Sequence, residues 1–122
     1  MDPLRSLLVD LVAIDSVNPS LVPGARGEGE IAAALAAVCR DAGLAVTMQE
    51  VAPGRPNVMA VLEGRTPGRT LMFCGHMDTV GVAGMDVPFA PREREGRLYG
   101  RGAQDMKGGL AAMVDATRHL AA

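Results

Sequence analysis

The sequence contains very few aromatic residues and very few cysteines. It has no tryptophan, and Phe73, Phe89 and Tyr99 are its only phenylalanines and tyrosine. Proteins that bind single-stranded nucleic acids stack the bases on aromatic side chains, so this scarcity argues against such a function. Two cysteines, Cys39 and Cys74, are too few for a disulfide scaffold. We expect both to be reduced and buried, one in a helix and one in a core strand.

The chain also lacks a strong charge of either sign and a long apolar run. Its 12 basic and 14 acidic residues give a net charge of -2 and form no polybasic or acidic block. No apolar stretch approaches the roughly 18 residues that a membrane span needs, and the first residues do not read as a secretory leader. Composition therefore indicates neither a nucleic-acid nor a membrane partner, and we expect a cytoplasmic protein.

The composition is that of an ordinary globular protein, with 48% hydrophobic and 21% charged residues. A domain of 122 residues buries about 65% of the surface of its unfolded chain, so a core can form. Apolar spacing predicts helices at 3–12, 31–42 and 107–121, strands at 44–48, 57–62, 69–74 and 97–99, and a long ordered loop at 79–95. Helices before and after short strands predict an α/β layer architecture.

The first candidate site follows the apolar stretch Leu71–Cys74. His76 and Asp78 come next and would lie on one side of an extended chain, because side chains alternate along a strand. Ligand sites in open α/β sheets lie beyond the carboxyl ends of strands. Since a carboxylate often orients a metal-bound imidazole, the pair can supply a metal ligand and its partner. The structural alternative is a hydrogen-bonded histidine at a strand end, with Asp78 capping the next turn.

The second candidate site is the segment Gly100–Gly109, in which four of ten residues are glycine. Glycine in the interior of a helix costs about 1 kcal/mol relative to alanine, so some requirement for bare backbone must offset the cost of Gly108 and Gly109. Close approach to a ligand or a metal cluster is one such requirement, with Asp105 projecting just before a helix begins. A phosphate-binding loop or a tight turn is the alternative, although the spacing matches neither the P-loop nor the dinucleotide fingerprint.

Together the two segments resemble the zinc-dependent amidohydrolase and exopeptidase family of carboxypeptidase G, acetylornithine deacetylase, succinyl-diaminopimelate desuccinylase and aminoacylase. That family has a Gly-His-x-Asp-Thr-Val segment, here Gly75–Val80, and a Tyr-Gly-Arg-Gly-x-x-Asp-Met-Lys-Gly-Gly segment, here Tyr99–Gly109. Further likeness lies in Asp15–Pro19, in Asn57-Val58 and in Asp86-x-Pro88-Phe89. The resemblance covers nearly the whole chain and is specific, because the residues, their order and their separation all agree.

The resemblance implies a fold and a set of site residues. Residues 1–122 would form the amino-terminal part of a metal-dependent catalytic domain, a partial α/β/α layered structure with a mixed sheet. His76 would bind one metal ion, Asp105 would bridge two, and Asp78 would steer the imidazole of His76. The family holds two zinc ions, with cobalt as an alternative, and commonly has a cis peptide bond after the bridging carboxylate, here Asp105–Met106.

The resemblance also implies hydrolysis of the amide bond of an N-acyl amino acid or a small peptide. The family's general-base glutamate, its remaining ligands and its lid-domain histidine match no residue of this sequence, so we expect the segment to be inactive by itself. The family pattern also suggests a homodimer formed through the lid domain. A different interpretation is a truncated, inactive relative that serves as a binding or interaction module. A Glu-Glu pair further along the reading frame would favour the hydrolase.

Four other residues with useful chemistry receive ordinary structural interpretations. His119 is expected on the surface of the last helix, near its carboxyl end, where it can interact with the helix dipole. Cys74 is expected to be a small core residue, because the family uses no thiolate ligand. Arg101 and Lys107 are expected to be exposed loop charges, with contact to a substrate as the alternative.

Overall fold

The computed structural model describes residues 1–122 and consists of helices and two small sheets. The helices are α1 (Pro3–Val12), α2 (Gly29–Asp41) and α3 (Gly108–Ala121), and the strands are β1 (Ala45–Ala52), β2 (Arg55–Val61), β3 (Arg92–Arg94) and β4 (Arg97–Tyr99). Strand β1 pairs with β2 and β3 pairs with β4, both antiparallel. The predicted α/β class is confirmed. None of the helices combines the length and the apolar character needed to cross a membrane.

The ends of the first two helices follow from local chemistry. Asp2 caps α1, because its carboxylate accepts a hydrogen bond from the amide of Leu4 at 3.2 Å, and Pro3 occupies the first helical position. Helix α2 ends just before Gly43, which has a φ of 84°. Glycine adopts this left-handed conformation without a Cβ clash, so it can end the helix. Both boundaries were predictable from the sequence.

The core lies between the three helices. Each helix contributes two buried side chains to one central cluster, and all six are at most 8% exposed: Leu7 and Leu11 from α1, Ile31 and Leu35 from α2, and Leu110 and Ala111 from α3. Apolar residues three or four positions apart share one helical face, and burying each leucine or isoleucine contributes about 1.5–3 kcal/mol. This packing holds the first turn of α3, and the glycine-rich segment before it, against α1.

The predicted strand at 69–74 is not formed. This segment pairs with no other strand, and Leu71 and Met72 are 78% and 81% exposed. A strand requires a neighbour for its ladder of hydrogen bonds, and neither two-stranded sheet supplies one here. The prediction that Cys74 is buried is wrong for the same reason, since it is exposed, whereas Cys39 is buried as predicted.

Strand β3 lies inside the segment 79–95 that was predicted to be a loop. Its sequence, Arg-Glu-Arg, has no apolar alternation, so its pattern does not indicate a strand. The pairing with β4 depends on the turn between them, where Glu95 and Gly96 have φ values of 52° and 73°. Two consecutive residues of positive φ form the tight turn that joins antiparallel strands. The only parallel pairing is an isolated bridge between Val17 and Thr79.

Candidate metal centre

The side chains of His76, Asp78 and Asp105 come together at one place. Nδ1 of His76 lies 3.1 Å from Oδ1 of Asp78 and also 3.1 Å from the carbonyl oxygen of that residue. On the other side of the ring, Nε2 lies 3.0 Å from Oδ1 of Asp105, a residue 29 positions further along the chain. The three predicted site residues, which belong to two separate motifs, are therefore neighbours in the fold.

The stretch that follows α1 holds Asp78 in place. The backbone amide of Thr79 donates to the carbonyl of Ser16 at 3.0 Å, and the amide of Asn18 donates to the carbonyl of Thr79 at 2.9 Å. The Ser16 hydroxyl, which is fully buried, donates to the carbonyl of Met77 at 2.8 Å. In addition, Nδ2 of Asn18 donates to Oδ2 of Asp78 at 2.8 Å. Both carboxylate oxygens of Asp78 are therefore engaged, one by His76 and one by Asn18.

Asp105 projects from a tight turn, Ala103–Lys107, which precedes α3. The backbone leaves helical geometry at Asp105 and Met106, and the cis peptide bond predicted between them is confirmed. The sulfur of Met106 accepts a hydrogen bond from the amide of His76 at 3.3 Å, so this turn also contacts the first motif. The side chain of Asp105 is 81% exposed, which leaves its carboxylate accessible.

The glycines of the second motif are required because parts of the protein approach one another closely. A Cβ atom at Gly108 would lie 2.8 Å from the carbonyl oxygen of Ala103, which is closer than real Cβ atoms come. A Cβ atom at Gly109 would lie 3.1 Å from the end of the Met106 side chain. Bare backbone is therefore required at Gly108 and Gly109 because the turn that carries Asp105 packs closely against the start of α3.

Lys107 is not an exposed loop charge, so that prediction is wrong. It is 1% exposed, and its ammonium group donates to the carbonyl of Ile14 at 2.6 Å and lies 5.9 Å from the centre of the Phe89 ring. Burial lowers the pKa of Lys107 to about 8. Arg101 is also partly buried, and its Nε atom is enclosed without a hydrogen-bond partner. Lys107 therefore ties the glycine-rich motif to the stretch after α1.

We expect Gly102→Ala to destabilise the protein by at least about 2 kcal/mol, because it combines two costs. Gly102 has a φ of 80°, and a Cβ atom there would lie 2.6 Å from Cγ2 of Thr79 and 3.2 Å from the Lys107 side chain. Urea unfolding of the variant and of the unaltered protein measures the decrease in the free energy of unfolding. The control is Gly68→Ala, where no atom lies within 4 Å of the new Cβ. Equal stability of the two variants would contradict this prediction.

The other histidine of the chain, His119, contacts none of the residues of this centre. His119 lies near the carboxyl end of α3, and its side chain is 78% exposed. Its Nδ1 atom contacts the carbonyl oxygen of Asp115, one turn earlier in the same helix, at 2.8 Å. The predicted surface position of His119 is confirmed.

The imidazole of His76 faces a carboxylate on each side. Burial lowers its pKa, but hydrogen bonds to Asp78 and Asp105 and the charges of both carboxylates outweigh this and raise the pKa above its usual value. When Nδ1 carries the proton and donates it to Asp78, Nε2 and the carboxylate of Asp105 are two acceptors 3.0 Å apart. Two acceptors this close require a proton or a cation between them. Imidazole nitrogen and carboxylate oxygen are ligands that suit zinc.

The ligand set within these residues is nevertheless small. No group of three or more His, Cys, Asp or Glu side chains is arranged to hold a metal ion. An open groove of about 770 Å³ runs past His76 and Asp105 and is also lined by Tyr99 and Arg101. A second groove of about 390 Å³ is also lined by His76, together with Arg55. The centre is thus open to both grooves, where further groups and a substrate can approach.

Sequence reasoning missed two residues that shape the second groove. Arg55 donates to Glu28 through Nε at 3.0 Å and through Nη2 at 2.7 Å, and it also donates to the hydroxyl of Ser20 at 2.9 Å. The side chain of Glu28 is only 9% exposed. Neither residue belongs to a recognisable motif, and their pairing across 27 positions leaves no local signal in the sequence. Asn18 lies within Asp15–Pro19, one of the segments that resemble the family, but its contact with Asp78 was not predicted.

The part of the chain that carries both motifs is similar to a known protein family. Residues 72–122, which contain both candidate segments, match the model of peptidase family M20/M25/M40. The resemblance that was inferred from the two motifs is confirmed.

Individual relatives extend the similarity to nearly the whole chain. It is 38% identical to the succinyl-diaminopimelate desuccinylase of Leptothrix cholodnii, over 98% of this chain and 31% of that protein. It is 34% identical to the acetylornithine deacetylase of Photorhabdus laumondii, over 98% of this chain and 32% of that protein. A third relative is the N-formyl-4-amino-5-aminomethyl-2-methylpyrimidine deformylase of Halalkalibacterium halodurans. The chain is 34% identical to it, over 98% of this chain and 30% of that protein. The chain therefore spans about a third of the length of these relatives.

Proposed function

We propose that this chain is the amino-terminal part of the catalytic domain of a dinuclear metal hydrolase. Its reaction is the hydrolysis of the amide bond of an N-acyl amino acid or a small peptide. The observation that carries the proposal is the convergence of Nε2 of His76 and Oδ1 of Asp105, 3.0 Å apart, while Asp78 holds the opposite side of the ring. The names of the desuccinylase and the deacetylase denote removal of an acyl group from an amino acid, which supports this substrate class, and the name of the deformylase supports removal of an acyl group in general.

Each of the three residues has a distinct task in this proposal. His76 would hold one metal ion through Nε2, and Asp105, whose carboxylate is exposed, would be the ligand shared by two ions. Asp78 would accept a hydrogen bond from Nδ1–H of His76, which fixes the tautomer that leaves Nε2 free to bind metal. Two zinc ions, or cobalt in their place, would supply Lewis-acid chemistry there, which activates water and polarises the amide carbonyl.

The remaining ligands and the general base are proposed to lie outside this segment. A catalytic zinc ion usually has three protein ligands, whereas this chain brings together one imidazole and one free carboxylate. The chain also spans only about a third of the length of its relatives. The functional protein proposed here is therefore longer than 122 residues. Its homodimerisation and its cytoplasmic location stay predictions.

The proposed function is tested by removing the metal and by replacing His76. We expect the natural protein to lose hydrolysis of N-succinyl, N-acetyl or N-formyl substrates after treatment with a chelator, and to regain it when zinc or cobalt is added. His76→Ala should lower the activity at least about 100-fold and weaken metal binding, because a side chain that binds the metal directly is lost. Calorimetry and an assay of the released acid measure both effects.

The matched control for His76→Ala is His119→Ala. It removes the only other histidine, which is exposed on α3. We expect this variant to keep the metal affinity and the activity of the unaltered protein. Hydrolysis that survives complete metal removal, or equal activity of the two variants, would refute the proposed centre.

A further inference from the structure

We propose that Asn18 is a positioning residue of this centre and acts on it through Asp78. This inference rests on the proposed function, because it concerns the same metal-binding histidine. Nδ2 of Asn18 donates to Oδ2 of Asp78 at 2.8 Å, and Oδ1 of Asp78 lies 3.1 Å from Nδ1 of His76. The amide, the carboxylate and the imidazole thus form a continuous row that ends at the proposed ligand atom, Nε2.

The orientation of the Asn18 amide is fixed at both of its ends. Its Oδ1 atom accepts the backbone amide of Ser20 at 2.7 Å, while Nδ2 faces the carboxylate of Asp78. A flipped amide would set two donors against each other at Ser20 and two acceptors against each other at Asp78. Aspartate at this position could not donate to Asp78, and a smaller side chain could not reach it. The position therefore requires a group with an acceptor and a donor at this spacing.

The backbone around Asn18 is held independently of its side chain. The amide of Asn18 donates to the carbonyl of Thr79 at 2.9 Å, and the amide of Thr79 donates to the carbonyl of Ser16 at 3.0 Å. The carbonyl of Asn18 also accepts the amides of Leu21 and Val22, each at 3.0 Å. A change confined to the Asn18 side chain consequently leaves this stretch attached to the first motif. Its effect on the metal centre can then be separated from its effect on folding.

The contact from Asn18 determines how Asp78 presents itself to His76. A carboxylate on a single bond can rotate, and a second hydrogen bond on its other oxygen limits that rotation. With Oδ2 held by Asn18, Oδ1 stays directed at Nδ1 of His76, and the ring keeps Nε2 directed at Asp105. Partners that orient metal ligands typically change metal affinity by about 10–100-fold. Because Asn18 acts one step further away, we expect an effect near the lower end of that range.

The test uses Asn18→Asp in the natural protein, a change that keeps the shape and removes the donor. We expect metal affinity, measured by calorimetry with zinc and by competition with a chelator, to fall about tenfold. The metal-free variant should still unfold in one cooperative step, at a melting temperature lowered by the two carboxylates that now face each other where Asn18 and Asp78 were 2.8 Å apart. The control is Gln49→Glu, which makes the same amide-to-carboxylate change on the exposed strand β1 and should leave metal affinity unchanged.

A second variant separates positioning from a general effect of the new charge. In Asn18→Asp combined with Asp78→Asn, the donor and the carboxylate exchange places, so the contact between the two side chains is restored. We expect this double variant to bind zinc at least about threefold more tightly than additive losses predict, which is the signature of direct coupling. Additive losses, or an Asn18→Asp variant that binds zinc as tightly as the unaltered protein, would overturn this inference alone. An unaltered protein that binds no metal would overturn the proposed function and this inference with it.

Discussion

Residues 1–122 by themselves are expected to show no zinc-dependent hydrolysis of N-acyl amino acids and to bind zinc weakly at best. A catalytic zinc ion normally has three protein ligands and one open position, whereas this segment offers His76 and Asp105, with Asp78 engaged by His76. The reaction also needs a proton acceptor beside the attacking water, and the general-base glutamate that the resemblance implies matches no residue of this sequence. Calorimetry with zinc and an assay for released acetate or succinate measure the two properties.

The natural protein provides the positive control for this prediction, assayed with the same substrates and the same metal concentration. The segment should also be marginally stable or prone to association, because Leu71, Met72 and Val51 are 78%, 81% and 66% exposed. Sedimentation of the purified segment reports the association. Zinc-dependent turnover by the pure segment would show that the assignment of essential groups to other parts of the protein is wrong.

Asp78→Asn in the natural protein is expected to weaken metal affinity or activity by about 10–100-fold, much more than it weakens folding. The substitution removes the negative charge that faces Nδ1 of His76 at 3.1 Å, although the side chain keeps its size. It also sets the new amide against either His76 or Asn18, since one of its two ends is now a donor. Turnover at several zinc concentrations, together with calorimetry, separates lost affinity from lost activity.

A matched control for this substitution is Asp41→Asn, which makes the same change at an exposed position at the end of α2. Both variants should unfold at a similar temperature in the metal-free state, and only Asp78→Asn should alter the centre. Unchanged turnover at saturating zinc, combined with unchanged metal affinity, would count against an orienting role for Asp78.

Much of the local structure could be predicted from the sequence, because its causes are local. The cap formed by Asp2, the first helical position of Pro3 and the left-handed Gly43 depend on residues within one turn of each other. The hairpin strands β1 and β2 were also predicted, since they adjoin in sequence. The strand expected at 69–74 was not formed, because a strand depends on a neighbour that the pattern of its own residues does not specify.

The candidate site also has features that were predictable from the sequence and features that were not. The two motifs predicted His76, Asp78 and Asp105 as site residues, because each motif has several residue types at a set spacing. No pattern of neighbouring residues indicates that Lys107, in the same motif as Asp105, is buried against the carbonyl of Ile14, because this contact spans 93 positions. The exposure of Cys74 was missed for a related reason, since burial depends on which segments pack together.

The sequence by itself determined the family resemblance, the residue types of the candidate centre, the start of α1 and the end of α2, since these are properties of residues close together along the chain. Only the tertiary structure decided that Nε2 of His76 faces Asp105, across 29 positions, and that Asn18 holds Asp78, across 60. The physical reason is that a hydrogen bond requires two atoms within about 3 Å. Spacing along the chain sets that distance within one helix or turn, whereas between distant segments it is set by the packing of the helices and by the bridge between Val17 and Thr79.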